Sequence, residues 1–154
     1  MVRVGQLVYV VATRTGDINV YAADGLGLVR RHRIFAEVDH INTIGVTTSA
    51  IYVMLHNKNR KPSELHVVSR FEDQSFDHYP DIGMSAHGVT VWGPDHFIAL
   101  DSVGGKLVKI GRLDRAVSPV WACDTGCFLK GLAVIGDTAI FGRSVVICTF
   151  GYRT

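Results

Sequence analysis

The sequence has little of what usually announces a function. Of its 154 residues only 3 are Cys and 4 are Pro, and 19% are charged. The cysteines are an odd set. Cys123 and Cys127 have three residues between them, which is neither the redox nor the common zinc spacing. They read as buried or strand-borne thiols, with a disulfide or a metal pair as the alternative. No apolar run exceeds a handful of residues, which leaves no transmembrane span and no membrane partner. There is no Asn-x-Ser/Thr sequon. The run Leu7 to Ala12 is too short for a signal-peptide core and is followed by Arg14 and Asp17, so it reads as a strand and the chain as cytoplasmic. A net charge of +2 gives no footprint for nucleic acid. Gly25 to Gly27 and Gly104-Gly105 precede no helix pattern, which excludes a phosphate loop. Ser49, Ser63 and Ser85 lack a nucleophile-elbow glycine pattern. No stretch of ten or more residues carries a helical period.

What is present is a repeat. The segments starting at His40, His87 and Lys130 align at offsets of 47 and 43 residues. They read His40-Ile-Asn-Thr-Ile-Gly45, His87-Gly-Val-Thr-Val-Trp-Gly93 and Lys130-Gly-Leu-Ala-Val-Ile-Gly136. Each is followed by a second apolar strand: residues 51–55, 97–100 and 138–141. A third type alternates apolar and polar residues at 17–21, 64–69 and 106–111. A fourth, weaker type lies at 27–32, 75–79 and 119–123. Turn residues separate them all. The hydrophobic fraction of 47% suffices for one packed domain. The expected fold is all-β, made of four-stranded antiparallel units near 1–38, 39–84, 85–128 and 129–154.

This pattern resembles the blades of six-bladed β-propellers, the group of NHL-repeat, strictosidine-synthase-like and gluconolactonase-like proteins. The run Phe128 to Gly142 also resembles blades of uncharacterised propeller families. The resemblance covers residues 5–144 and concerns architecture, not one activity. The marks of WD repeats are absent. At about 43 residues per unit the chain holds roughly 3.5 blades, fewer than a closed ring needs. The expected object is a partial or open propeller, a piece of a larger one. A compact small propeller and a ring closed by association are the alternatives. The first unit shows no first strand, and residues 144–148 are a candidate third strand of the last. Open terminal blades expose faces and edges, so self-association is expected.

The resemblance implies that first strands line a central channel and that matching positions converge there. His40, His87 and Lys130 are then matched, with Asn42 near them, and these four are the candidate ligand-binding residues. His40 and His87 with Asp101 form the candidate metal set, since neutral imidazoles and a carboxylate suit a divalent cation. Otherwise no cofactor is expected. Gluconolactonase-like propellers hold a metal through carboxylate and amide oxygens, which draws attention to Asp101 and Asn57. Against this, Asp and Asn at strand ends are commonly turn formers, and histidines at blade junctions commonly bond to backbone. The basic runs Arg30 to Arg33 and Lys58 to Lys61 read as a solvated edge and loop, and Trp92 and Trp121 as packing between blades. The functional expectation is a binding or scaffold module for a protein or small molecule. The alternative is a metal-assisted hydrolase or lyase at the channel.

Overall fold

A computed structural model describes residues 1–124 and 126–145. The first twelve strands form three four-stranded antiparallel sheets whose order in space follows their order in the chain. The first sheet holds β1 (Val2–Val4), β2 (Leu7–Ala12), β3 (Asp17–Ala22) and β4 (Leu28–Arg33). The second holds β5 (Ile41–Val46), β6 (Ala50–Leu55), β7 (Glu64–Ser69) and β8 (Ser75–Tyr79). The third holds β9 (His87–Trp92), β10 (His96–Asp101), β11 (Lys106–Gly111) and β12 (Val117–Ala122). A two-stranded sheet of β13 (Cys127–Ile135) and β14 (Thr138–Val145) follows. The helical pieces among the described residues are two single 3-10 turns, Glu37–Asp39 and Asn57–Asn59. The fold is therefore all-β, an open array of propeller-like blades.

Three local expectations change. The first sheet does have an innermost strand, the three-residue β1, paired Val2 to Tyr9 and Val4 to Leu7. Arg3 between two valines is too short a signal to register in the repeat. Ser144 and Val145 do not open a third strand in the last unit; they prolong β14 against Phe128 and Cys127. Residues 146–154, including Cys148, lie outside the described residues. Cys123 and Cys127 are joined as a disulfide, with Cα atoms 6.5 Å apart.

The second strand of each middle sheet explains the stacking. All six residues of β6 are buried. Alternation sends them to opposite faces. Ile51, Val53 and Leu55 pack with Tyr9, Ile18 and Val20 of the first sheet. Ala50, Tyr52 and Met54 pack with Val89, Phe97, Ala99 and Val108 of the third. β10 repeats the device, with Ile98 and Leu100 turned toward Cys127 and Leu129. Apolar runs without polar alternation are thus strands covered on both sides. Trp92 packs against that last cluster, and the Trp121 ring stands 5.3 Å from Phe141.

Arginines brace the rims, Arg70 between two blades and Arg112 within one. Arg70, just after β7, donates through Nε and Nη2 to the Tyr9 hydroxyl of the first sheet at 2.8 and 2.6 Å. It also donates to the Thr48 carbonyl at 2.8 Å. Arg112, just after β11, donates to the Pro94 carbonyl at 2.7 Å and lies over the Phe97 ring at 5.3 Å. That ring is fully buried, with Tyr52 at 5.0 Å and Tyr79 at 5.3 Å. Replacing Phe97 with Ala empties the joint between the second and third sheets. The expected cost is about 3–5 kcal/mol, read as a lowered midpoint in denaturant unfolding.

Candidate functional site

The innermost strands β5, β9 and β13 lie side by side and line a groove of 450 Å³, with β1 and β2 at its margin. Each of the three carries the same irregularity. In β5 the pairing passes from Ile41 to Thr43 and skips Asn42. In β9 it skips Gly88, and in β13 it skips Gly131. A one-residue bulge leaves its residue out of the ladder and re-aims it. All three bulged residues face the groove. Gly88 and Gly131 adopt φ of +67° and +63°, a region that glycine enters without a Cβ clash. A Cβ on Gly88 would also lie 2.5 Å from Cβ of Leu132, so close packing of β9 on β13 requires glycine there.

The bulges correct the sequence alignment by one residue. Counting from them, Ile41, His87 and Lys130 are the equivalent positions, and His40 stands just before β5. His40 turns left-handed at φ +51° after the Glu37–Asp39 turn, and it does not line the groove itself. The ladder runs one residue past β6, the His56 N–H donating to the His40 carbonyl at 3.3 Å. This brings in an imidazole that the sequence reading treated as part of a turn. Ring centroids then run His40 to His56 at 5.0 Å and His56 to His87 at 5.0 Å. Phe128 lies 5.5 Å beyond His87, and the Lys130 ammonium sits 5.3 Å over its ring.

Their hydrogen bonds fix the tautomers. His56 Nδ1 accepts from the Lys58 N–H at 3.2 Å, so its Nε2 carries the proton. His87 Nδ1 lies 2.7 Å from the Ser85 carbonyl, which only accepts, so Nδ1–H donates there and Nε2 keeps a lone pair. Ser102 Oγ is 2.8 Å from the same Nδ1. A nitrogen already donating to a carbonyl is no general base for Ser102, and the pair is not a nucleophilic dyad. Burial, then the neighbouring His87, His40 and Lys130, push the His56 pKa down to about 4. Burial and then Lys58 lower that of His40, and burial followed by Lys130 and His40 lowers that of His87. With their pKa values depressed, these imidazoles are uncharged near neutral pH, and Lys58 and Lys130 are the cations beside them.

Asn42 faces the groove, and both atoms of its amide are buried without a partner. Lys130 is exposed, next in sequence to the groove-lining Gly131. Asp101 departs from its expected role. Its Oδ1 accepts from the N–H groups of Met84 at 2.9 Å and Gly104 at 3.0 Å, which makes it a clasp for two turns. Asn57 likewise donates to the Pro62 carbonyl at 2.7 Å. Asp101 Oδ1 is therefore engaged in turns, whereas the Asn57 oxygen is buried without a hydrogen-bond partner; no step is routed through a channel metal. Among the described residues, the His, Cys and acidic side chains whose ligand atoms come within 4.8 Å of one another as a set are Glu64, His66 and His78, not His40, His87 and Asp101.

No family model matches the chain, and no curated protein matches it. Its class rests on architecture: successive four-stranded antiparallel sheets stacked face to face, with a groove along their inner strands. No helix among the described residues is long and apolar enough to cross a membrane.

A histidine whose folded pKa is depressed resists protonation in the fold, while the unfolded chain takes up the proton near pH 6.5. Stability is therefore complete above about 6.5 and declines as pH falls toward the folded value of about 4 for His56. Melting temperatures measured from pH 7.5 down to 4.5 are expected to fall, with a shallower slope in His56→Gln.

Proposed function

We propose that the chain is a ligand-binding module of the six-bladed NHL, strictosidine-synthase-like and gluconolactonase-like propeller group, and that its groove mouth takes a small anionic molecule. One observation carries the reading. His87 lines the groove, His56 and His40 continue from it at ring spacings of 5.0 Å, and the Lys130 ammonium lies close enough to lower the His56 and His87 pKa values. The Nε2–H of His56, the Lys130 ammonium and the unpartnered Asn42 amide supply donors, which suit carboxylate or phosphate oxygens. The groove volume of 450 Å³ suits a small molecule and not a folded partner. The hydrolase alternative draws no support from the channel side, where Asp101 is committed to backbone.

Citrate and inorganic phosphate are the probes. Nuclear magnetic resonance titration is expected to show saturable shifts of the His56 and His87 ring resonances with at least one of them. Lys130→Gln should weaken that anion about tenfold, the size of one lost charge-assisted hydrogen bond. Arg14→Gln, on a turn outside the groove, should leave affinity unchanged. Absence of saturation with both anions, or an equal loss in Arg14→Gln, overturns the reading.

Self-association through the last unit belongs to the same proposal. Ile135 and Ile140 are 71% and 57% exposed on β13 and β14. Sedimentation velocity over a range of concentrations is expected to show a rising coefficient, flattened by Ile135→Lys with Ile140→Lys. A cytoplasmic setting is also proposed. The Cys123–Cys127 bond runs against it, because such bonds persist in oxidising compartments.

A further inference from the structure

We propose that Glu64, His66 and His78 form a binding site for a zinc-type divalent cation on the β7–β8 ribbon, apart from the groove. The ribbon's register builds it. Glu64 and His66 are two apart on β7 and share a face. His78 of β8 is the direct cross-strand partner of His66. Glu64 Oε2 consequently lies 3.3 Å from Nε2 of His66 and 3.5 Å from Nε2 of His78. Two ligand atoms each about 2.05 Å from a tetrahedral ion stand about 3.3 Å apart, so the oxygen already sits at ligand spacing from both nitrogens. Two imidazoles and one carboxylate favour zinc and its transition-metal neighbours over calcium or magnesium, which prefer oxygen alone.

The surroundings support a cation at this point. Ser75 Oγ is 3.2 Å from His66 Nδ1 and also within reach of the Asp77 and Val67 carbonyls, at 3.3 and 3.4 Å. His66 Nε2 is hydrogen-bonded to Glu64 Oε2 at 3.3 Å, and a cation bound there takes the place of the shared proton. A serine on the far ring nitrogen is also the usual kind of outer support for a ligating histidine. The first sheet makes the same arrangement with a cation of its own. There the equivalent positions hold Asp17, Asn19 and Arg31, and the guanidinium lies 3.9 Å from Asp17 Oδ2 and 3.0 Å from Asn19 Oδ1. In the second sheet the arginine is replaced by His78. Lys61 approaches only the other oxygen of Glu64, leaving Oε2 to the imidazoles. The His78 side chain is 44% exposed, so the remaining coordination positions open to solvent.

The test uses the full chain, stripped with a chelator, and titrations with zinc by calorimetry and with cobalt by visible absorption. One ion per chain is expected, with the intense d–d bands of a low-coordinate cobalt site. His78→Ala should weaken zinc more than about 100-fold, beyond what loss of a supporting hydrogen bond costs, and Ser75→Ala should weaken it about tenfold. Glu64→Gln is a second ligand variant, in case one change disturbs folding; metal-free melting curves decide that point. His96→Ala, on β10 and outside both histidine clusters, should bind zinc as the parent does. No uptake by the parent chain at neutral pH, or unchanged affinity in both His78→Ala and Glu64→Gln, overturns the site.

Discussion

The structure depends on one constraint: a strand that is apolar on both faces must be covered on both faces. β6 places Ile51, Val53 and Leu55 on one side and Ala50, Tyr52 and Met54 on the other, all buried. No sheet can cover its own two faces, so each requires a neighbour before and behind it. Stacking sheet on sheet in chain order meets this with short connections. It also forces the inner strands together at one margin and spreads the outer strands apart. The groove and the Arg70 clasp are consequences of that fan, one at its narrow side and one at its rim.

Chemistry in this molecule follows from registers more than from motifs. The bulges at Asn42, Gly88 and Gly131 turn one residue per inner strand toward the groove. The pairing of His66 with His78 sets an imidazole across from another, with Glu64 beside them. In both places single residues of common type acquire a role because hydrogen-bonded ladders hold them at fixed separations. The two clusters differ in sign. The cluster from His40 to Lys130 sets neutral imidazoles beside lysines, whereas the β7–β8 face sets one carboxylate between two imidazoles.

Much of the architecture was legible because the repeat is written in strand composition. The second strands and the third strands fall where their apolar and alternating runs stand. β1 was not legible, since three residues carry no period. The bulges were also invisible, and they shifted the alignment of His40 against His87 by one position. Of the residues in and beside the groove, Asn42 and His87 in its lining and His40 and Lys130 next to it were named from the repeat. His56 was not, because a polar pair after an apolar strand looks like a turn; only the ladder continuing past Leu55 reveals its neighbours. Glu64, His66 and His78 all lay in strands that the repeat marked. Their meeting depends on which residue of β8 faces which of β7, and alternation within a strand says nothing about that. Asp101 takes the turn-forming role that its strand-end position also suggested, its Oδ1 holding two turns.

The three bulges differ in how much change they admit. Asn42 already presents a side chain to the groove, from backbone that any residue adopts. Gly131 has a left-handed backbone at φ +63°, yet nothing lies within 4 Å of an added Cβ, so asparagine or aspartate fits there with modest strain. Gly88 is closed by Leu132 as well as by its backbone. A lineage altering this groove would therefore find one position free, one open to two or three residue types, and one sealed. Diversification of the ligand would be concentrated at the second and fourth inner strands while the third stays constant as the hinge of the packing.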